Sequence, residues 1–239
     1  MNSEKALGNF QSGYDLLTEL KDVSLEYGEG NELTPMLLGH RGSFSRFLAN
    51  YDEAINDLTY AITELDKLGV NDTYIVASFY GELGLAQFRK GDYESAEKNY
   101  LKCLDLLDAL EKTTDVQYVG TLGNMAYLYQ LKGLFQDAKT YYDKAFEIHE
   151  QVNSQEDRQF SIILMNYGVL FKEMTNYEEA EKKLLRAKDL IMKFNGKEHI
   201  NYATVSLNLG ELYYWKQDIL NTTQINSSIL ALIKEAQKP

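Results

Sequence analysis

The clearest pattern along the chain is a set of small, bulky and polar positions that returns every 42 residues. Four short segments each contain an aromatic residue, two polar residues and an alanine, and these alanines are Ala54, Ala96, Ala138 and Ala180. A bulky residue follows each alanine by four positions and a small residue by seven, so all three lie on one stripe of an α-helix. We refer to this predicted element as the second helix of each repeat.

A further column of small residues lies twelve positions before each alanine and continues one step beyond the last, at Gly42, Gly84, Ala126, Gly168 and Gly210. Apolar neighbours surround these residues, which predicts a first helix whose backbone closely approaches the second. In the polar turn between the two helices, glycine or asparagine is expected to end the first helix in a left-handed conformation, and Asp or Asn to cap the second. Each repeat is therefore predicted to be a helical hairpin. A lone hairpin cannot bury its apolar face, so the hairpins should stack.

The small residue in the first helix, the aromatic residue before the second and the alanines within it together resemble the tetratricopeptide repeat family. That family usually has a unit of about 34 residues, and the longer step here is similar to the kinesin light chain subgroup. Residues 195–213 match the loop and first helix of that subgroup, with Ile200 in place of its usual proline. The resemblance implies an all-α, right-handed superhelical solenoid of antiparallel helix pairs. A three-helix armadillo or HEAT array is the alternative fold, but the aromatic–polar–polar–alanine signature does not belong to it.

The repeat signature divides the chain into three parts. Residues 34–216 are predicted to hold the array, with about four intact repeats. One step back from Ala54 gives Ser12, with Leu16 in the stripe, so residues 1–33 are predicted to contain the second helix of an incomplete hairpin, or a cap. The signature decays after Ala180, and residues 217–239 are predicted to form a degenerate final helix or C-terminal cap. These atypical ends could also support homo-oligomerisation or docking on a neighbouring domain.

The overall composition is that of a folded protein, with 44% apolar and 25% charged residues. Its formal net charge of −12 disfavours nucleic-acid binding, which needs a basic surface to neutralise phosphates, and also disfavours an anionic membrane surface. We find no secretory signal and no apolar run of the length that a membrane span requires. The single cysteine fits a reducing compartment, so a cytoplasmic location without membrane insertion is expected.

Residues that could carry catalysis are scattered. Histidines occur only at positions 40, 149 and 199, without metal-ligand spacing, and Cys103 falls in a column otherwise filled by alanine. The stretch from Gly81 to Gly84 lacks the Lys and Ser/Thr that end a phosphate loop. We therefore expect no catalytic residue, no metal site and no cofactor, and predict that the protein is not an enzyme.

One polar column on the first helices is a candidate for ligand binding. Two residues before the small position stand His40 and Glu82, and then Asn124, Asn166 and Asn208. A side-chain amide carries both a donor and an acceptor, so it can pair with the N–H and C=O of an extended peptide. The resemblance implies this role, because the family uses asparagines at this place. The alternative is that the amides bridge neighbouring helices or face water.

Other candidate peptide-binding residues lie near the same face. Arg46, Arg89 and Lys172 could receive an acidic peptide or a terminal carboxylate, and Tyr127 and Tyr214 could either stack on a ligand or belong to the core. The predicted function is a protein–protein interaction module, a scaffold or adaptor that holds a protein or peptide ligand in its concave groove. The alternative is a regulatory or sensory domain of a larger catalytic or signalling protein.

Overall fold

A computed structural model describes residues 3–25, 31–151 and 158–217 of the chain. These residues form helices joined by short turns, with no strand among them, which confirms the predicted all-α class. The helices are α1 (Ser3–Leu25), α2 (Leu33–Phe47), α3 (Tyr51–Lys67), α4 (Tyr74–Lys90), α5 (Tyr93–Ala109), α6 (Val116–Leu131), α7 (Phe135–Gln151), α8 (Arg158–Glu173), α9 (Tyr177–Asn195) and α10 (residues 200–217). The final helix predicted within residues 217–239 falls almost wholly outside the described residues.

The helices pair as the repeat predicts. Every second helix begins at the aromatic residue of the signature, at Tyr51, Tyr93, Phe135 and Tyr177. Four hairpins result, in which α2 packs on α3, α4 on α5, α6 on α7 and α8 on α9. Helix α10 is a fifth first helix, and the residues that would follow it as a second helix are not described.

The chain divides into two compact units, Met1–Ser154 and Gln155–Pro239. In the first unit, α1 packs on α2, α3 on α4 and α5 on α6, so each hairpin rests on the next. The first helices α2, α4 and α6 also approach one another, whereas the described second helices α3 and α5 do not. The first helices therefore form the more closely spaced layer of this unit. In the second unit, α10 is joined to the α8–α9 hairpin by two ion pairs, Lys172–Glu211 and Lys216–Glu181.

The core follows the repeat columns. The alanine, the bulky residue and the small residue of each second helix are completely buried in all four hairpins. These residues are Ala54, Leu58 and Ala61; Ala96, Tyr100 and Cys103; Ala138, Tyr142 and Ala145; and Ala180, Leu184 and Ala187. Truncating one of the bulky members to alanine would cost about 2–5 kcal/mol, the range for large-to-small core substitutions.

The small residue of the first helix allows this packing because it sits where the two helices touch. A Cβ atom added at Gly84 would lie 2.8 Å from Cδ1 of Tyr100 and 3.2 Å from the carbonyl oxygen of Ala96. Gly42 and Gly168 make the same approach in their own hairpins. A larger side chain at this column would have to displace the bulky residue of the second helix.

The turn between the two helices has one left-handed residue in every described hairpin. It lies at the same repeat position each time, with φ of 63° at Ala49, 85° at Gly91, 73° at Gly133 and 60° at Thr175. The expected glycine takes this conformation at Gly91 and Gly133, whereas in the last turn the left-handed residue is Thr175 and not the neighbouring Asn176. In the last turn Asn176 instead caps α9, and its side chain accepts a hydrogen bond from the backbone N–H of Glu179. Because L-residues are strained at positive φ, Ala49 and Thr175 carry a cost that glycine avoids.

Two buried tyrosines in the bulky column differ in how their hydroxyl groups are satisfied. The hydroxyl of Tyr142 donates to Oε1 of Gln130, on its partner helix, at 3.3 Å. One repeat earlier, Phe88 stands in place of this glutamine, and the hydroxyl of Tyr100 has no hydrogen-bonding partner among the described residues. Burial also raises the pKa of the Tyr100 hydroxyl, so that group stays neutral.

Candidate functional site

The three asparagines of the polar column all lie on first helices. Asn124 is on α6 in the first unit, and Asn166 and Asn208 are on α8 and α10 in the second. Each is half-buried. None of the three side-chain amides has a hydrogen-bonding partner within the described parts of the chain. Half-buried amides without intramolecular partners can pair with a ligand without first breaking a bond.

The earlier members of the same column are not equivalent to the asparagines. His40 is exposed and its ring forms a T-shaped contact with the ring of Phe79, with the ring centroids 5.3 Å apart. Glu82 forms an ion pair with Arg46, which joins α2 to α4. In the first unit, the amide arrangement is therefore limited to Asn124.

Of the three predicted cationic residues, two have intramolecular partners. Arg46 pairs with Glu82 and also stacks over the ring of Phe47, 4.0 Å from its centroid. The Nζ atom of Lys172 lies 2.6 Å from a carboxylate oxygen of Glu211. Arg89, at the exposed end of α4, has no ion pair or hydrogen bond among the described residues. Of these three cations, Arg89 alone could therefore bind an acidic ligand without giving up a contact with another described residue.

The two predicted tyrosines have different surroundings. Tyr127 is half-buried on α6 and packs against Phe88, with ring centroids 5.6 Å apart. Tyr214 is 68% exposed on α10 and meets the edge of Trp215, which is half-exposed. Phe88 and Trp215 do not stand out in the sequence, because an aromatic residue occupies each of their register positions in only two of the five first helices: Phe88 and Tyr214 in one, Phe47 and Trp215 in the other.

Cys103, which was considered above as a catalytic residue, lies in the core of the first unit. Cys103 is buried and contacts the hydroxyl of Thr121 at 3.5 Å, and burial raises the pKa of its thiol. Across the described residues, no group of three or more His, Cys, Asp or Glu side chains is arranged to hold a metal ion. None of the described helices combines the length and the apolar composition of a membrane span.

One cavity lies away from the polar column. It has a volume of about 280 Å³ and is formed by α3, α4 and α5 in the first unit, where Asp66, Asp72, Tyr80 and Lys102 are among its lining residues. None of the predicted peptide-binding residues lines it. This cavity is therefore separate from the candidate site on the first helices.

Comparison with known proteins identifies the repeat. The tetratricopeptide repeat family model matches residues 74–151 and 159–218, together more than half of the chain. No match is found among the curated proteins.

Solved structures with the same architecture include three that align at TM-scores of 0.62 to 0.68. BtubC (BKLC) from P. vanneervenii aligns with a TM-score of 0.68 and 14% identity, over 100% of this chain and 95% of that one. A kinesin light chain protein of Podospora anserina with nearly identical tetratricopeptide-like repeats gives 0.62 and 14%, over 86% and 99%. A signal transduction ATPase from Pyrococcus horikoshii with a tetratricopeptide repeat sensor gives 0.67 and 15%, over 92% of this chain and 34% of that one. At these identities the likeness concerns the fold, and it supports both the helix-pair solenoid and the resemblance to kinesin light chain repeats.

Proposed function

Because the chain belongs to the tetratricopeptide repeat family, we propose that this protein-interaction repeat module binds an extended peptide segment of a partner protein along its first helices. The observation that carries the proposal is the column of half-buried amides at Asn124, Asn166 and Asn208, which have no hydrogen-bonding partner among the described residues. Each amide offers a donor and an acceptor to the peptide backbone. Such contacts recognise an extended conformation and leave the choice of side chains to neighbouring groups.

Neighbouring side chains can supply selectivity. Exposed Arg89 attracts an acidic group, and the aromatic ring of Tyr214 offers a flat apolar surface for stacking. Tyr127 presents less of its ring because it packs on Phe88. Arg46 and Lys172 are paired with Glu82 and Glu211 in the absence of ligand. Each would contact an acidic ligand only by exchanging its carboxylate partner for the ligand.

The test begins with affinity capture from native lysate and mass spectrometry, which supply a partner peptide for calorimetric titration. Replacing Asn124, Asn166 and Asn208 together with alanine should leave folding intact, since alanine is the better helix former. Each lost amide removes about 1 kcal/mol of hydrogen bonding. Three additive losses would weaken binding roughly a hundredfold.

The matched control is Asn56→Ala, which removes an exposed asparagine from the second helix α3 and should leave affinity unchanged. Testing Asn124→Ala apart from the Asn166 and Asn208 pair separates the contributions of the two units. Equal affinity in a well-folded triple variant, with helicity checked by circular dichroism, would show that the partner binds elsewhere.

A second candidate function is a sensory domain of a larger signalling protein. It is favoured by the similarity to the tetratricopeptide repeat sensor of the signal transduction ATPase, whose own chain is much longer than the aligned part. Sequencing the full native transcript tests this candidate directly. An additional catalytic domain in the same reading frame would support it, and its absence would leave the adaptor role.

A further inference from the structure

Helix α1 occupies the place of a second helix relative to α2. Phe10, near the start of α1, stacks on Phe47 at the end of α2, with ring centroids 4.4 Å apart. In the next repeat Asp52, near the start of α3, pairs with Lys90 at the end of α4. Asp52 is the residue one repeat beyond Phe10, and Lys90 is one residue past the repeat equivalent of Phe47, so α1 meets α2 in the same direction as α3 meets α4 and within one residue of the same register.

The opposite face of α1 is apolar and open. Leu16, Leu20 and Val23 form one helical stripe and are 55%, 41% and 45% exposed. One repeat later, on α3, which packs on its own first helix α2, the same positions are almost fully buried: Leu58, Ile62 and Leu65. Among the described residues no first helix covers α1. Soluble proteins rarely leave a continuous apolar stripe open, so this stripe marks a binding surface.

Acidic residues border the open stripe. Asp15, Glu19 and Asp22 are all exposed on α1; Oδ1 of Asp15 accepts a hydrogen bond of 2.8 Å from Nε2 of Gln11, and Asp22 lies 3.1 Å from Nζ of Lys21. This arrangement disfavours pairing between the same faces of two copies, because like charges would meet in a chain whose formal net charge is −12. The acidic border favours a binding partner that carries basic residues beside an apolar stripe of its own.

The repeat register specifies the occupant further. Asp15 corresponds to Asp57 one repeat later, and Arg41 of α2 donates two hydrogen bonds of 2.7 Å to that carboxylate. Leu16 corresponds to Leu58, whose Cγ lies 2.9 Å from the place that a Cβ of Gly42 would take. A helix covering α1 in the same way must therefore present a small residue to Leu16 and, next to it, a cation to Asp15.

We propose that the open face of α1 is a docking site for a basic amphipathic helix of a partner protein. The helix runs antiparallel to α1, completes its hairpin, buries Leu16, Leu20 and Val23, and pairs an arginine or lysine with Asp15. Glu19 lies at the repeat position that alanine or cysteine fills in the buried hairpins, so a second basic residue is needed to offset its burial. This surface is separate from the asparagine column and does not depend on peptide binding there.

The probe is a synthetic peptide with the sequence of residues 31–50, which contains Arg41 and Gly42. It is labelled and held helical by a hydrocarbon staple on the face away from those two residues. Titrating it with the full chain and following fluorescence anisotropy should show saturable binding. Leu20→Asp in the protein should weaken binding at least tenfold. The matched control, Leu101→Asp on α5, changes a leucine that is also 40% exposed and should leave the affinity unchanged.

Two further variants test the register. Asp15→Asn in the protein and Arg41→Gln in the peptide should each weaken binding about fivefold, and the combination should weaken it no more than either alone. Gly42→Leu in the peptide should abolish binding because it meets Leu16.

Three results would overturn the proposal. The first is the absence of binding by a peptide that circular dichroism shows to be helical. The second is binding whose affinity Leu20→Asp leaves unchanged, because the peptide would then occupy another face, such as that of α3. Sedimentation of the chain alone gives the third: a dimer that Leu20→Asp dissociates would assign the face to a second copy.

Discussion

Replacing Gly168 with leucine should strongly destabilise the second unit, because α8 and α9 touch at this residue. A Cβ atom at position 168 would lie 2.7 Å from Cγ of Leu184 and 3.2 Å from the carbonyl oxygen of Ala180. The side chain of Leu184 is completely buried and the Ala180 oxygen belongs to a helix backbone, so neither can yield without cost. Either Leu184 leaves the core or the two helices move apart.

The expected magnitude combines three contributions. Overpacking of a close-packed core costs about 1–3 kcal/mol. Loss of burial at Leu184 would cost about 1.5–3 kcal/mol if its side chain were fully expelled. The higher helix propensity of leucine over glycine offsets about 1 kcal/mol of this loss. With partial relaxation we expect a net loss of about 2–4 kcal/mol, which corresponds to a fall in melting temperature of about 5–15 °C.

Differential scanning calorimetry measures this loss, and Gly8→Leu is the matched control. Gly8 lies within α1, where an added Cβ meets no described atom within 4 Å. The same exchange there should leave stability unchanged or raise it by up to about 1 kcal/mol through helix propensity. If Gly168→Leu melted at the wild-type temperature, α8 and α9 could not meet at this residue, and the repeat register would be wrong.

Two other predictions use matched positions in different repeats. Thr175→Gly should stabilise the protein by about 1 kcal/mol because it relieves a positive φ, whereas Gly91→Ala at the equivalent turn should destabilise it by about 1–2 kcal/mol. Tyr100→Phe should raise stability by about 1 kcal/mol because it removes a buried hydroxyl that has no described partner, whereas Tyr142→Phe should lower it by about 1 kcal/mol through loss of a hydrogen bond. Urea unfolding of the two variants in each pair measures their changes in the free energy of unfolding and tests both predictions. Equal effects within a pair would contradict the structural difference between its members.

The sequence by itself determined the helix pairs, their 42-residue spacing and the core columns. Ala96, Tyr100 and Cys103 could be assigned to one buried stripe because helical periodicity repeats every turn and the hairpins repeat every 42 residues. Such burial depends on local spacing, which a single sequence displays. The asparagine column was visible for the same reason, since three amides recur at one register position.

Only the tertiary structure decided which partners the individual side chains take. Arg46 reaches Glu82, 36 residues away, and Lys172 reaches Glu211, 39 residues away, so two cations predicted to bind a ligand are engaged within the fold. Neither pair recurs in every repeat, and a periodic pattern therefore could not reveal it. The left-handed conformation of Thr175 is likewise imposed by closing the hairpin, against the preference of the residue itself. Side-chain pairing across helices depends on three-dimensional proximity, whereas the helices and their buried faces follow from spacing along the chain.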